Sequence, residues 1–231
     1  MRRLLVAPEV QSLLRLGVAL LEEVVVADPD PALWEEVARL AKRLRERYAG
    51  WEPGQIPGLE PARALYRAVG EDPTKRRPSS EALLRRLLRG DDLYRVNTLV
   101  DVGNWCSVEF LLPISVLDLG RTEGAIVVRR GAPGEAYQAI GREPFRVEGR
   151  LVVADARGAI GNPTADSTRT MVTTGTRRAL ALIYAPADYA VERLEAHAAT
   201  LGARAVRFNR GRCAWTGALG AGVRSTADLP G

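Results

Sequence analysis

One histidine and two cysteines in 231 residues remove whole classes of chemistry at once. So few imidazole and thiol ligands cannot build a zinc cluster, so a metal would have to rest on carboxylates alone, and no metal or other cofactor is expected. The single histidine, His197, lies in Val191-Glu192-Arg193-Leu194-Glu195-Ala196-His197-Ala198-Ala199, a run with the spacing of an amphipathic helix. A structural role there leaves no general base for a Ser-His-Asp triad. Cys106 and Cys213 stand in a chain without secretory features, so reduced thiols are expected, Cys106 as a small core residue. Long hydrophobic runs are missing too: Val18–Leu21 and Val24–Ala27 are divided by Glu22 and Glu23 and fall far short of the roughly 20 residues that span a bilayer. The N-terminus opens like a signal peptide, but Pro8, Glu9, Gln11 and Arg15 deny it an apolar centre. The expectation is a cytoplasmic protein with no membrane partner. The run Gly131-Ala132-Pro133-Gly134-Glu135 has no lysine and no P-loop spacing, and reads as a hairpin turn.

What the chain does have is an ordinary globular composition, 46% hydrophobic and 26% charged, with a net charge of +5 carried by an excess of arginine. Arginine suits bidentate phosphate contact, which points to a polyanionic partner. An arginine-rich surface reflecting genome composition or heat adaptation accounts for the charge equally well.

Leu16–Ala27 is β-branched toward its end and predicts a strand in its second half. Asp30 before Pro31, with Leu33, Val37, Leu40, Ala41, Leu44 and Tyr48 at helical spacing, predicts a capped helix that runs to Gly50. After a Pro/Gly-rich connector at residues 51–58, short helices are predicted at Pro61–Val69 and from Ser79 or Ser80, either of which would cap, to Gly90. An apolar helix follows from Leu93 to Leu112. Strands are predicted at Gly124–Val128, Ala136–Ile140, Leu151–Ala154, Thr170–Thr173 and Leu180–Tyr184, then a helix at Asp188–Leu201, a strand at Ala205–Phe208 and a Gly-rich tail.

Three constellations carry chemistry. Lys75, Arg76 and Arg77, with Arg85, Arg86 and Arg89 on the helix that follows, form either a phosphate site or a solvated helix face. Asn97, Asp101 and Asn104 recur at i, i+4 and i+7 as a polar stripe; Asn104 and Ser107 then serve as pocket donors or cap neighbouring backbone. The loop Asn162-Pro163-Thr164-Ala165-Asp166-Ser167-Thr168-Arg169-Thr170 offers a carboxylate and hydroxyls that could position a water or bind a ribose, unless it is simply a polar loop.

Five segments in order are Val100-Asp101-Val102-Gly103-Asn104-Trp105, Leu112–Leu119, Gly124–Arg129, Gly134-Glu135 and Leu151–Asp155. Together with Asp72–Leu83, this set resembles the editing and tRNA-binding domain of the bacterial phenylalanyl-tRNA synthetase beta subunit and free-standing proteins made of that domain. The resemblance implies an α+β fold, with an N-terminal helical part (1–119) packed on a β-barrel-like or sandwich-like core (120–231, with one late helix), all forming a single unit. It implies hydrolysis of mischarged aminoacyl-tRNA. Asn104 matches the family's pocket asparagine; Ser115 replaces the histidine that follows the motif's proline; Asp166 is nearest in character to the glutamate that reads the tyrosine hydroxyl. Without that glutamate the amino acid removed need not be tyrosine.

The sequence therefore predicts a trans-acting aminoacyl-tRNA deacylase. Asn104, Ser115, Asp166 and Ser167 are its candidate catalytic residues, Glu135, Ser107 and Thr168 line the substrate, and Lys75, Arg76, Arg77, Arg85, Arg86 and Arg89 hold tRNA. DNA is not an expected partner. A non-catalytic module binding tRNA or an amino acid is the alternative, the serine marking lost chemistry, and a small-molecule binder is a third reading.

Overall fold

Every position of the nine-residue strand Leu14–Glu22 except Arg15 is buried, the pattern of a strand covered on both faces. The computed structural model, which describes residues 2–52, 54–141 and 143–229, builds its layers around that strand. Its strands are β1 (Arg2–Val6), β2 (Leu14–Glu22), β3 (Ile114–Asp118), β4 (Ile126–Arg130), β5 (Ala136–Tyr137), β6 (Phe145–Arg146), β7 (Leu151–Asp155), β8 (Gly158–Asn162), β9 (Ala165–Asp166), β10 (Arg178–Pro186), β11 (Arg212–Gly220) and β12 (Thr226–Leu229). Its helices are α1 (Pro8–Gln11), α2 (Pro31–Arg47), α3 (Glu60–Ala68), α4 (Ser79–Leu88), α5 (Thr98–Phe110) and α6 (Val191–Asn209).

A six-stranded mixed sheet runs β12-β1-β4-β7-β8-β9, with β1 and β4 parallel, and an antiparallel four-stranded sheet runs β11-β2-β10-β3. Alternation along β2 and β10 sorts their side chains between two cores. Leu16, Val18, Leu20, Leu180, Leu182 and Tyr184 meet Leu4, Val6, Val128 and Val153 between the sheets. Ala19, Leu21, Ala181 and Ile183 meet Leu33, Val37, Val102 and Leu201 of the helices. Gly17 lets α6 approach closely, since a Cβ there would lie 3.0 Å from Leu194 Cδ1. The fold is α+β, as expected, and its sheets stack as an open sandwich. Of the two expected forms of the core, barrel-like or sandwich-like, a closed barrel is not formed among the described residues, where β12 and β9 end the larger sheet unpaired with each other.

Several elements differ from expectation for identifiable reasons. The strand predicted in the second half of Leu16–Ala27 occupies the first half instead, because Glu23 turns into the left-handed region (φ 56°) and ends it. The N-terminal run forms β1, while Met1, and Pro53 of the connector, lie outside the described residues. Asp30 caps α2 as predicted, its carboxylate accepting from the Ala32 and Leu33 amides. Neither serine caps α4: Pro78 holds that position, and the buried Ser80 hydroxyl has no partner among the described residues. α5 starts later than predicted, because Asn97 accepts from the Val100 amide, and it stops where Leu111 turns left-handed (φ 58°). Thr168–Thr170 is a 3₁₀ turn followed by coil, where a strand was predicted. α6 continues through the predicted strand at Ala205–Phe208, and the Gly-rich tail contains β11 and β12.

Candidate functional site

Three pieces of chain enclose a cavity of about 460 Å³: α4 with Tyr94, the end of α5 with the start of β3, and the β8–β9 turn. Its lining includes Asn104, Ser107, Ser115 and Asp166, with Arg77, Arg85, Arg86 and Arg89, so the two polar segments and most of the basic cluster meet in one place.

The β8–β9 turn is built by Asn162, whose buried side-chain oxygen accepts from the Thr164 and Ala165 amides, both at 2.9 Å. Tyr66 of α3 ties it down through a 2.7 Å hydrogen bond to the Thr164 hydroxyl. This fixes β9, which pairs Asp166 with Gly161 at the edge of the six-stranded sheet. Gly161 permits this close approach, since a Cβ would lie 3.1 Å from Asp166 Oδ1. The Asp166 carboxyl is buried and Oδ1 has no hydrogen-bond partner among the described residues. Burial raises its pKa to about 7, although the Ser115 hydroxyl and the Val116 amide favour the ionised form. Ser115 in turn accepts at 3.2 Å from the hydroxyl of Tyr184, a fully buried residue of β10. A chain of hydroxyls thus runs from the sandwich core to the cavity.

The predicted polar stripe on α5 separates into three roles. Asn97 is the cap, and its amide nitrogen donates to Val172 O. Asp101 is buried and accepts from Trp34 Nε1 at 3.0 Å and from the Val96 amide. Asn104 lines the cavity, and its carboxamide has no hydrogen bond among the described residues. Ser107 also lines it, but its hydroxyl is engaged by Leu112 O at 2.8 Å.

Other candidates lie elsewhere. Glu135 does not line the cavity: it forms a bidentate pair with Arg129 and accepts from the Ala132 and Ala159 amides. The Arg129 hydrogen bond outweighs partial burial and brings its pKa to about 2. Ser167 and Thr168 turn away as well, Ser167 accepting from the Arg169 amide and Thr168 donating to Gln138 O. Lys75 and Arg76 face a second cleft, of about 320 Å³, among Glu71, Asp72 and Glu148. His197 stacks on Phe110 with ring centroids 4.0 Å apart and meets the Tyr189 hydroxyl, a packed position that lowers its pKa to about 4 through burial.

At the rim, Glu81 of α4 is 1% exposed and shared by three guanidiniums: Arg63 at 2.8 Å, Arg85 at 2.9 Å and Arg77 at 3.5 Å. Burial opposes its charge, but the Arg63 hydrogen bonds prevail and its pKa falls. One carboxylate among three cations leaves the rim positive. Sequence reading missed Glu81, Tyr94, Asn162 and Tyr184 as parts of the site. Only Asn162 had a signal, in the Asn-Pro turn.

Residues 61–216 match the family model described as the B3/4 domain. The chain is similar to the phenylalanine–tRNA ligase beta subunit of Neisseria gonorrhoeae (strain ATCC 700825 / FA 1090), 30% identical over 78 residues, or 33% of this chain and 10% of that protein. The corresponding subunit of Neisseria meningitidis serogroup B is 27% identical over 110 residues, 47% of this chain and 14% of that protein. That of Rhodopseudomonas palustris is 33% identical over 85 residues, 36% of this chain and 10% of that protein. These matches span only 10% to 14% of those relatives. A crystal structure of an N-terminal fragment of the phenylalanyl-tRNA synthetase beta subunit from Pyrococcus horikoshii aligns over 87% of this chain and 48% of its own, at 13% identity and a TM-score of 0.43.

Proposed function

The chain belongs to the B3/4 domain family and is a domain like that of the phenylalanyl-tRNA synthetase beta subunit, and from this premise we propose that it hydrolyses the ester of mischarged aminoacyl-tRNA. The observation that carries the reading is the single cavity in which the unpaired Asn104 carboxamide and the buried Asp166 carboxyl lie within an arginine-lined rim.

In this mechanism the ester carbonyl sits against Asn104, whose N–H₂ donates to the oxyanion as water adds to the carbonyl carbon. The Asp166 carboxylate, reached through Ser115, accepts the proton from the attacking water. Collapse breaks the bond to the ribose oxygen, which receives that proton, with the neighbouring ribose hydroxyl assisting. The products are a free amino acid and intact tRNA. An activated ester needs little beyond this positioning. Arg77, Arg85, Arg86 and Arg89 hold the RNA phosphates, and the cytoplasm, where aminoacyl-tRNA resides, is where the domain acts.

The test is a panel of tRNAs charged with different amino acids. Release of at least one amino acid faster than in buffer, with the rate reduced by Asn104→Ala, is the expected result. Binding of tRNA with every ester left at its buffer rate would assign the chain to the non-catalytic alternative, in which Ser115 marks the loss of a catalytic histidine.

A further inference from the structure

We infer that the cavity continues into a track for single-stranded RNA, in which Tyr94 and Trp51 each stack one base and Arg85 and Arg89 hold the phosphates between them. This inference rests on the reading of the cavity as an aminoacyl-tRNA site.

Tyr94 and Trp51 are the observations that start it. Both are large aromatic side chains left in water, 61% and 47% exposed. Tyr94 stands at the cavity, with the Arg86 guanidinium 4.2 Å above its ring and Arg86 Nη1 donating to its hydroxyl at 3.2 Å. Arginine on one face and solvent on the other leaves a flat ring preset for a base. Trp51 stands over a second opening of about 420 Å³, beyond α4. Arg85 and Arg89 line both openings, so the α4 surface joins them without a break.

The charge along this route is positive. Arg86 meets carbonyl and hydroxyl oxygens and has no carboxylate among the described residues, and the Arg89 pair with Asp91 is long, 3.6 Å, and exposed. Aromatic rings interleaved with guanidiniums are the composition of single-strand platforms, where each stacked base adds affinity whatever its identity. A double helix does not fit this chemistry, because its bases are not available to stack on side chains. Lys75 and Arg76, adjacent in sequence, face a different cleft that holds Glu71, Asp72 and Glu148, so the strand leaves over Trp51 and not over Lys75.

The experiment uses the full chain and a fluorescently labelled, unacylated RNA octamer ending in CCA, followed by anisotropy. Trp51→Ala and Tyr94→Ala should each weaken binding about tenfold, with Phe at either position restoring most of it. Lys75→Ala should leave it unchanged, and a blunt RNA duplex of equal length should bind without sensitivity to the aromatic substitutions. Alanine variants that bind the octamer like wild type would overturn the track, as would equal losses on duplex and single strand. No oligonucleotide binding at all would overturn it too and turn attention to a protein partner for this face. Because the octamer carries no ester, the two readings fail separately. Octamer losses with intact mischarged tRNA would remove the hydrolase and keep the track. Hydrolysis unaffected by both alanine variants would remove the track and keep the hydrolase.

Discussion

Asp166 is where stability and chemistry pull in opposite directions. Its pKa lies above the ordinary 3.8, at about 7, so the folded protein takes up a proton that the unfolded chain releases. The stability linked to this group is fully present below 3.8 and is lost as pH rises through about 7, where the fold must hold a buried charge. Asp166→Asn should therefore melt higher than wild type on the alkaline side of about 7 and equally on the acid side of 3.8. The same substitution should abolish the rise of the deacylation rate with pH. Equal melting temperatures at both extremes would count against a raised pKa. Glu135 has the opposite sign: its pKa of about 2 gives stability that is fully present above 4.5 and lost as pH falls from there through about 2. Glu135→Gln should cost about 2 kcal/mol in denaturant titration near neutral pH and leave KM for tRNA unchanged, since its carboxylate serves Arg129.

At the scale of elements, α4 combines a structural and a recognition role through one carboxylate. Glu81→Gln leaves Arg63, Arg77 and Arg85 without their shared charge, at a cost of about 3 kcal/mol. The same change frees Arg77 and Arg85, so octamer affinity should rise while the melting temperature falls; a parallel loss of both would reject the dual role. Elements were legible in the sequence where a local signal fixed them. Asp30 with Pro31 marked the start of α2, and a short apolar run marked the strand at Leu180–Tyr184 inside β10. Boundaries failed where a residue took a left-handed conformation without being glycine, as at Glu23 and Leu111, because no local preference announces it. The Asn104, Ser115 and Asp166 members of the site could be named from residue type and resemblance. Tyr184 could not, because its link to Ser115 depends on the pairing of β10 with β3, which is set by tertiary structure.

The whole molecule is organised by partners far apart in the chain: β2 is flanked by β10 and β11, and β1 by β4 and β12. Such pairing makes folding slow, since distant segments must meet before their contacts form. It also bears on the exposed turn at Gly134, which separates the stretch bearing Asn104 and Ser115 from the stretch bearing Asp166. A peptide bond broken in that turn would yield two pieces, each holding one jaw of the vise and neither able to grip. Mixed together they should reassemble and recover deacylation of mischarged tRNA, which needs both jaws, making this turn a natural seam for a split reporter of the intact fold.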